Sequence, residues 1–190
     1  MARRALDAVY AGAAVAAAAC LAAIAVLVSA QVVGRLADAA LRAMGEPRYG
    51  FVIPSLAEIG GFLLVAATFL ALASTLRHAV HIRVNLLLQH LPERPQRAVQ
   101  LIALAASAAM VGYFAVQAVL FAHGSWRFGE VSYGIVAVPL VIPQAAMAAG
   151  LIIFAIALLD DLLALLAGRT PSFEAAEAES QRGMQTAGVE

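Results

Sequence analysis

Charged side chains divide this chain into long apolar stretches. Between Asp7 and Arg35 lie 27 uncharged residues, between Glu58 and Arg77 lie 18, and Arg97–Arg127 and Glu130–Asp160 each enclose 29. About 20 helical residues, rising about 1.5 Å each, cross about 30 Å of hydrocarbon. The pattern therefore predicts four transmembrane helices, over 9–33, 55–76, 98–122 and 138–162. Arg3 and Arg4 precede the first run, and Val28-Ser29-Ala30 resembles a cleavage site. Signal-peptide apolar regions are about 7–15 residues long, so the longer run here reads as an uncleaved first helix.

The periodicity changes between the second and third runs. Val80, Val84, Leu87, Leu88 and Leu91 recur at helical spacing, with Arg77, His81, Arg83, Asn85 and Gln89 between them and Pro92 at the end. This predicts a short amphipathic helix over 79–91, lying in the membrane interface. The fold class is thus an all-α integral membrane protein: four transmembrane helices plus one interfacial helix. Residues 1–167 form the membrane domain, and 168–190 a polar cytoplasmic tail without a core.

Composition agrees with this reading. The chain is 63% hydrophobic and 13% charged, with a mean hydropathy of +0.89, against about a quarter charged in ordinary globular domains. Twelve basic residues balance twelve acidic ones, which removes the electrostatic case for binding nucleic acid. Cys20 is alone, so disulfide, thiolate-metal and thiol-relay chemistry have no partner residue. All the basic residues are arginine. An N-terminus inside places eight on the inner side (Arg3, Arg4, Arg77, Arg83, Arg94, Arg97, Arg169, Arg182) and four outside (Arg35, Arg42, Arg48, Arg127). That asymmetry predicts cytoplasmic termini.

Several local patterns carry structural or chemical expectations. Small residues four apart, in Ala14/Ala18/Ala22, Ala108/Gly112, Ala145/Ala149 and Ala146/Gly150, let helix backbones approach closely in lipid. Ser55 followed by Glu58 ahead of an apolar run predicts a capping box; Glu58 also opens the second helix, where an ionisable residue near a membrane is a functional candidate. Trp126 and Tyr133 suit the outer aromatic belt. Pro139 and Pro143 mean that the fourth helix either starts near Pro139 or bends there. His78, His81 and His90 lack adjacent-turn spacing and a nearby carboxylate before Glu93, so no metal site is expected. Thr68, Ser107 and Gln117 are the isolated polar groups at depth, expected to be satisfied between helices.

Taken together, these segments resemble the small integral-membrane subunit of tripartite ATP-independent periplasmic (TRAP) transporters, the DctQ-like family. The resemblance rests on Glu58 opening helix two, on Arg77-His78-Ala79-Val80-His81-Ile82-Arg83-Val84-Asn85 with Leu91-Pro92, and on Gly129-Glu130-Val131-Ser132 followed by Pro139-Leu140 and Pro143. It covers about residues 1–165. Asn85 stands where the family usually has Asp, and Ala79 where it often has Gly. The resemblance implies a four-helix partner of a larger permease subunit in the bacterial inner membrane. That subunit is expected to hold the substrate and sodium sites, leaving no cofactor in this chain. A periplasmic solute-binding protein is expected to deliver the solute, an organic acid and often a C4-dicarboxylate in this family.

The residues point the same way. An organic-anion carrier needs cations or helix N-termini at mid-membrane, and sodium needs clustered oxygens; no helix here carries a charge at mid-span. A self-contained multidrug or cation exporter using Glu58 is the alternative, but such chains are shorter and embed their Glu. An enzyme is not expected, because no Ser/His/Asp set, paired intramembrane His or acidic metal cluster is visible.

Overall fold

The computed structural model describes residues 2–47, 49–77 and 92–168. Four helices account for most of them: α1 (Ala2–Ala43), α2 (Leu56–Arg77), α3 (Glu93–Phe128) and α4 (Val141–Leu166). All four are long and apolar enough to cross a membrane. The expected interfacial helix over 79–91 and the tail from 169 lie outside the described residues. Helices α1 and α3 overrun the spans read from the uncharged stretches. A charge ends contact with hydrocarbon, but it does not end the backbone ladder, so helix continues into water on both sides.

The helices stand side by side in the order α1, α2, α4, α3; α2 and α4 each pack against two neighbours, while α1 and α3 form opposite ends of the row. Helix α1 meets α4 only slightly, and near its N-terminal end Tyr10 joins a core with Leu76, Leu104, Leu158 and Leu165. The row is one helix thick, and large apolar side chains such as Val15, Ile102, Phe121 and Leu163 remain exposed on it. Water would not tolerate that surface; lipid does.

Helix α1 uses a single stripe along its length. Its covered residues include Tyr10, Ala13, Ala17, Cys20, Ile24, Leu27, Gln31, Gly34, Asp38 and Leu41, at alternating steps of three and four. A period of 3.5 keeps one seam facing one neighbour. The lower part of the seam faces α2. The upper part is covered by the chain returning from α1: Gln31 Oε1 accepts Ile53 N–H at 2.7 Å, and Asp38 Oδ1 accepts Tyr49 and Gly50 N–H at 2.9 and 3.2 Å. The Phe51 ring lies over Gly34, where a Cβ would collide with it.

Helix α3 repeats the device with Leu104, Ala108, Val111, Ala115, Ala118, Ala122 and Ser125, again in steps of four and three, buried towards α4. Of the small-residue pairs expected to form helix contacts, Gly150 of the Ala146/Gly150 pair does so, pressing on α2 at Phe69. The others need correction: Ala18, Ala22, Ala145 and Ala149 are exposed, and Gly112 has nothing within 4 Å of a modest side chain. In an alanine-rich helix many four-residue stripes coexist. The one that packs is chosen by its larger members, here Tyr10 and Gln31.

At the end of the row where α3 begins, Arg97 Nη2 donates to the Leu165 carbonyl at 2.9 Å. A guanidinium thereby meets the negative C-terminal end of α4.

Candidate functional site

The residues singled out in the sequence gather mainly at one end of the row, the end where α2 begins. Glu58 opens α2. Gly129, Glu130, Ser132 and Pro139 lie on the connection from α3 to α4, and Pro143 lies in the first turn of α4. Arg77 ends α2 on the opposite side, about 28 Å along the helix from Glu58. His81 and Asn85 lie outside the described residues.

The α3–α4 connection is held by its own hydrogen bonds. Gly129 takes φ 62°, ψ 36° to end α3, a left-handed conformation that costs glycine least. Its N–H reaches the Trp126 carbonyl and that of Glu130 reaches Ser125 O, the paired bonds of a Schellman ending. The buried Ser125 hydroxyl then donates to Glu130 Oε2 at 2.5 Å. Ser132, also buried, closes the loop: its N–H donates to Val138 O at 2.9 Å and its Oγ accepts Val138 N–H at 3.1 Å. Val131 pairs with Pro139 across the base.

Pro139 and Pro143 resolve as a helix start rather than a bend. Helix α4 begins at Val141, and the Gln144 N–H already bonds the Leu140 carbonyl at 3.2 Å. Pro143 sits in that first turn, where a missing N–H costs nothing.

This loop is fastened to α2, and the capping box expected at Ser55 and Glu58 is not formed. Ser55 has φ 54°, whereas an N-cap residue takes an extended conformation. Its Oγ accepts the Val136 N–H at 3.1 Å, from 81 residues away. The N–H groups of Glu58 and Ile59 donate to the Ser55 backbone carbonyl at 3.0 and 2.9 Å. The physical reason is competition for one acceptor. Val136 lies on a loop with no ladder partner for its N–H, and a backbone donor must be satisfied somewhere.

Glu58 instead meets the loop through its side chain. One carboxyl oxygen is enclosed against Gly134 and has no donor among the described residues. A Cβ on Gly134 would collide with that carboxyl and lie 2.7 Å from Ser55 Oγ. Gly134, Val136 and Ser125 were not singled out from the sequence. Gly134 was visible only as one glycine among 14, and the other two act through contacts that local spacing does not show.

The arrangement is a latch. Two serines, a glutamate and a glycine hold the adjoining ends of α2, α3 and α4 to one another, and no catalytic constellation accompanies them among the described residues. Among the described residues no three His, Cys, Asp or Glu side chains gather as a metal site.

Residues 24–168 match the family described as "Tripartite ATP-independent periplasmic transporters, DctQ component". The chain belongs to the DctQ family. No curated protein and no solved structure matches it. The match takes in α2, α3, α4 and the loop contacts just described, together with the C-terminal half of α1. DctQ proteins are the small permease component of TRAP transporters, working with a large permease and a periplasmic binding protein, so this chain is a multi-pass transporter component rather than a member of an enzyme family.

Proposed function

We propose that this DctQ protein is an accessory subunit which carries no solute itself and supports a large permease in sodium-coupled import of organic acids, with the solute delivered by a periplasmic binding protein. The reading rests on one observation: no helix carries a charged residue at mid-span. An organic anion crossing a bilayer needs cations or helix N-termini at the midplane, and sodium needs several oxygens there. The isolated polar groups do not supply them. Thr68, for example, donates its hydroxyl to the Leu64 carbonyl of its own helix at 2.8 Å. Sodium and solute sites therefore belong to the partner, and both termini of this chain lie in the cytoplasm.

Reconstitution tests this. Liposomes holding this chain alone, with an inward sodium gradient and labelled carboxylates, should show uptake no greater than empty liposomes. Liposomes holding this chain and the large permease, supplied with the binding protein, should show sodium-dependent uptake. Uptake by this chain alone would refute the accessory role.

A further inference from the structure

The row of helices is not flat. Between α2 and α3, over the face of α4, lies a groove of about 640 Å³ lined by Phe69, Phe114, Gln117, Phe121, Met147 and Leu151, almost entirely apolar. Phe114 and Phe121 are 50% and 59% exposed on its rim. Together with Gln117, they stand at steps of three and four on α3, so one helix face supplies a whole wall of the groove.

Gln117 is the discordant member. It lies twenty residues from Arg97 and ten from Arg127, hence about 15 Å below the outer charge and about 30 Å above the inner one. That depth is hydrocarbon. The sequence suggested that this amide would be satisfied between helices; instead it faces the groove, and it has no hydrogen-bond partner among the described residues. A primary amide carries two donors and an acceptor, and leaving them unmet in lipid is unfavourable.

We infer that this groove receives a transmembrane helix of the large permease subunit, which presents a polar side chain or a free backbone carbonyl at the depth of Gln117. The inference rests on the accessory-subunit reading above. Two other occupants fit less well. A lipid acyl chain would fill the apolar walls, but it offers no hydrogen-bonding atom there, since ester oxygens lie near the interface. A second copy of this chain across a two-fold axis would set the concave surface against itself, leaving a larger void and two unfilled grooves. A convex helix carrying one polar group satisfies both shape and chemistry.

The test uses the complex of this chain with its permease, extracted in mild detergent. Gln117→Leu keeps the side-chain size and suits lipid, so the subunit itself should fold and insert as before. Retention of the permease should fall by roughly three- to thirtyfold, the range set by one interhelical hydrogen bond in a bilayer. A photoreactive benzoylphenylalanine at position 121 should cross-link to the permease. The same group at position 15, on the exposed side of α1 (Val15 is 70% exposed), should not. Wild-type retention by Gln117→Leu would overturn the inference. So would an adduct at position 121 with lipid alone or with a second copy, or permease adducts from position 15 in place of 121. If the wild-type subunit fails to retain any permease, the accessory-subunit reading falls, and this inference falls with it.

Discussion

Gly150 of α4 and Phe69 of α2 meet through backbone: a Cβ built on Gly150 would lie 2.5 Å from both the carbonyl carbon and the carbonyl oxygen of Phe69. The contact joins the two middle helices of the row, and nothing flexible is available to yield. Gly150→Ala should therefore destabilise the chain by about 1–3 kcal/mol, as overpacking does. Gly112→Ala, with open space at that position, should be neutral or stabilising by up to about 1 kcal/mol, because alanine suits a helix better. Thermal unfolding of the two purified variants in one detergent checks this. Equal stability would show that α2 and α4 are not in backbone contact.

The latch between the 132–138 loop and α2 predicts a non-additive pair. Gly134→Ala drives a methyl into the Glu58 carboxyl and should lift the 132–138 loop from α2, exposing it to protease. Combining it with Glu58→Ala makes room, so the double variant should be cut more slowly than Gly134→Ala alone. Neighbours that share one space couple in this way. If the two effects simply add, Glu58 does not lie under Gly134.

Ser55→Ala removes the acceptor of a loop N–H rather than a helix cap. It should cost about 1 kcal/mol, and the loss should appear as faster amide exchange at Val136. Exchange accelerated at Glu58 with Val136 unchanged would restore the capping box.

Orientation has a direct readout. Cysteines introduced at 126 and 131 should react with an impermeant reagent added from the periplasmic side, and one at position 97 should not. The expectation follows from the arginine asymmetry. The opposite labelling pattern would invert the topology.

Arg97→Met should fray the end of α4. The lost bond to the Leu165 carbonyl and the lost charge at a helix C-terminus come to about 0.5–1 kcal/mol at an exposed site. Hydrogen exchange should quicken over Leu165–Gly168 and stay unchanged at Gly150.

The four helices were legible in the sequence because a bilayer imposes one requirement that charge placement reveals: an uncharged run of sufficient length. Their partners were less legible. The seam of α1 runs through Ala13 and Ala17 rather than Ala14 and Ala18, and a one-residue rotation cannot be read where nearly every position is alanine. The site was half legible. Gly129, Glu130 and Ser132 form a local turn, and their bonds span few residues. Ser55 was misread, because its hydroxyl is claimed by Val136 from a loop two helices later. Gln117 was misread for a related reason: which face of α3 meets α4 follows from long-range packing, and that packing leaves the amide on the groove side.

The order of the row sets how this chain meets membranes of different thickness. Its two edge helices are the long ones, with 42 residues in α1 and 36 in α3, while the middle pair have 22 and 26. The uncharged part of α1, 27 residues, is about 40 Å long and would need a tilt of about 40° to fit a hydrocarbon layer of about 30 Å. The 18 uncharged residues of α2, about 27 Å, fit upright. No single inclination suits both. A thicker bilayer relieves the edges and strains the middle, and a thinner one does the reverse. Matching one bilayer therefore asks α1 and α3 to tilt more than the pair between them.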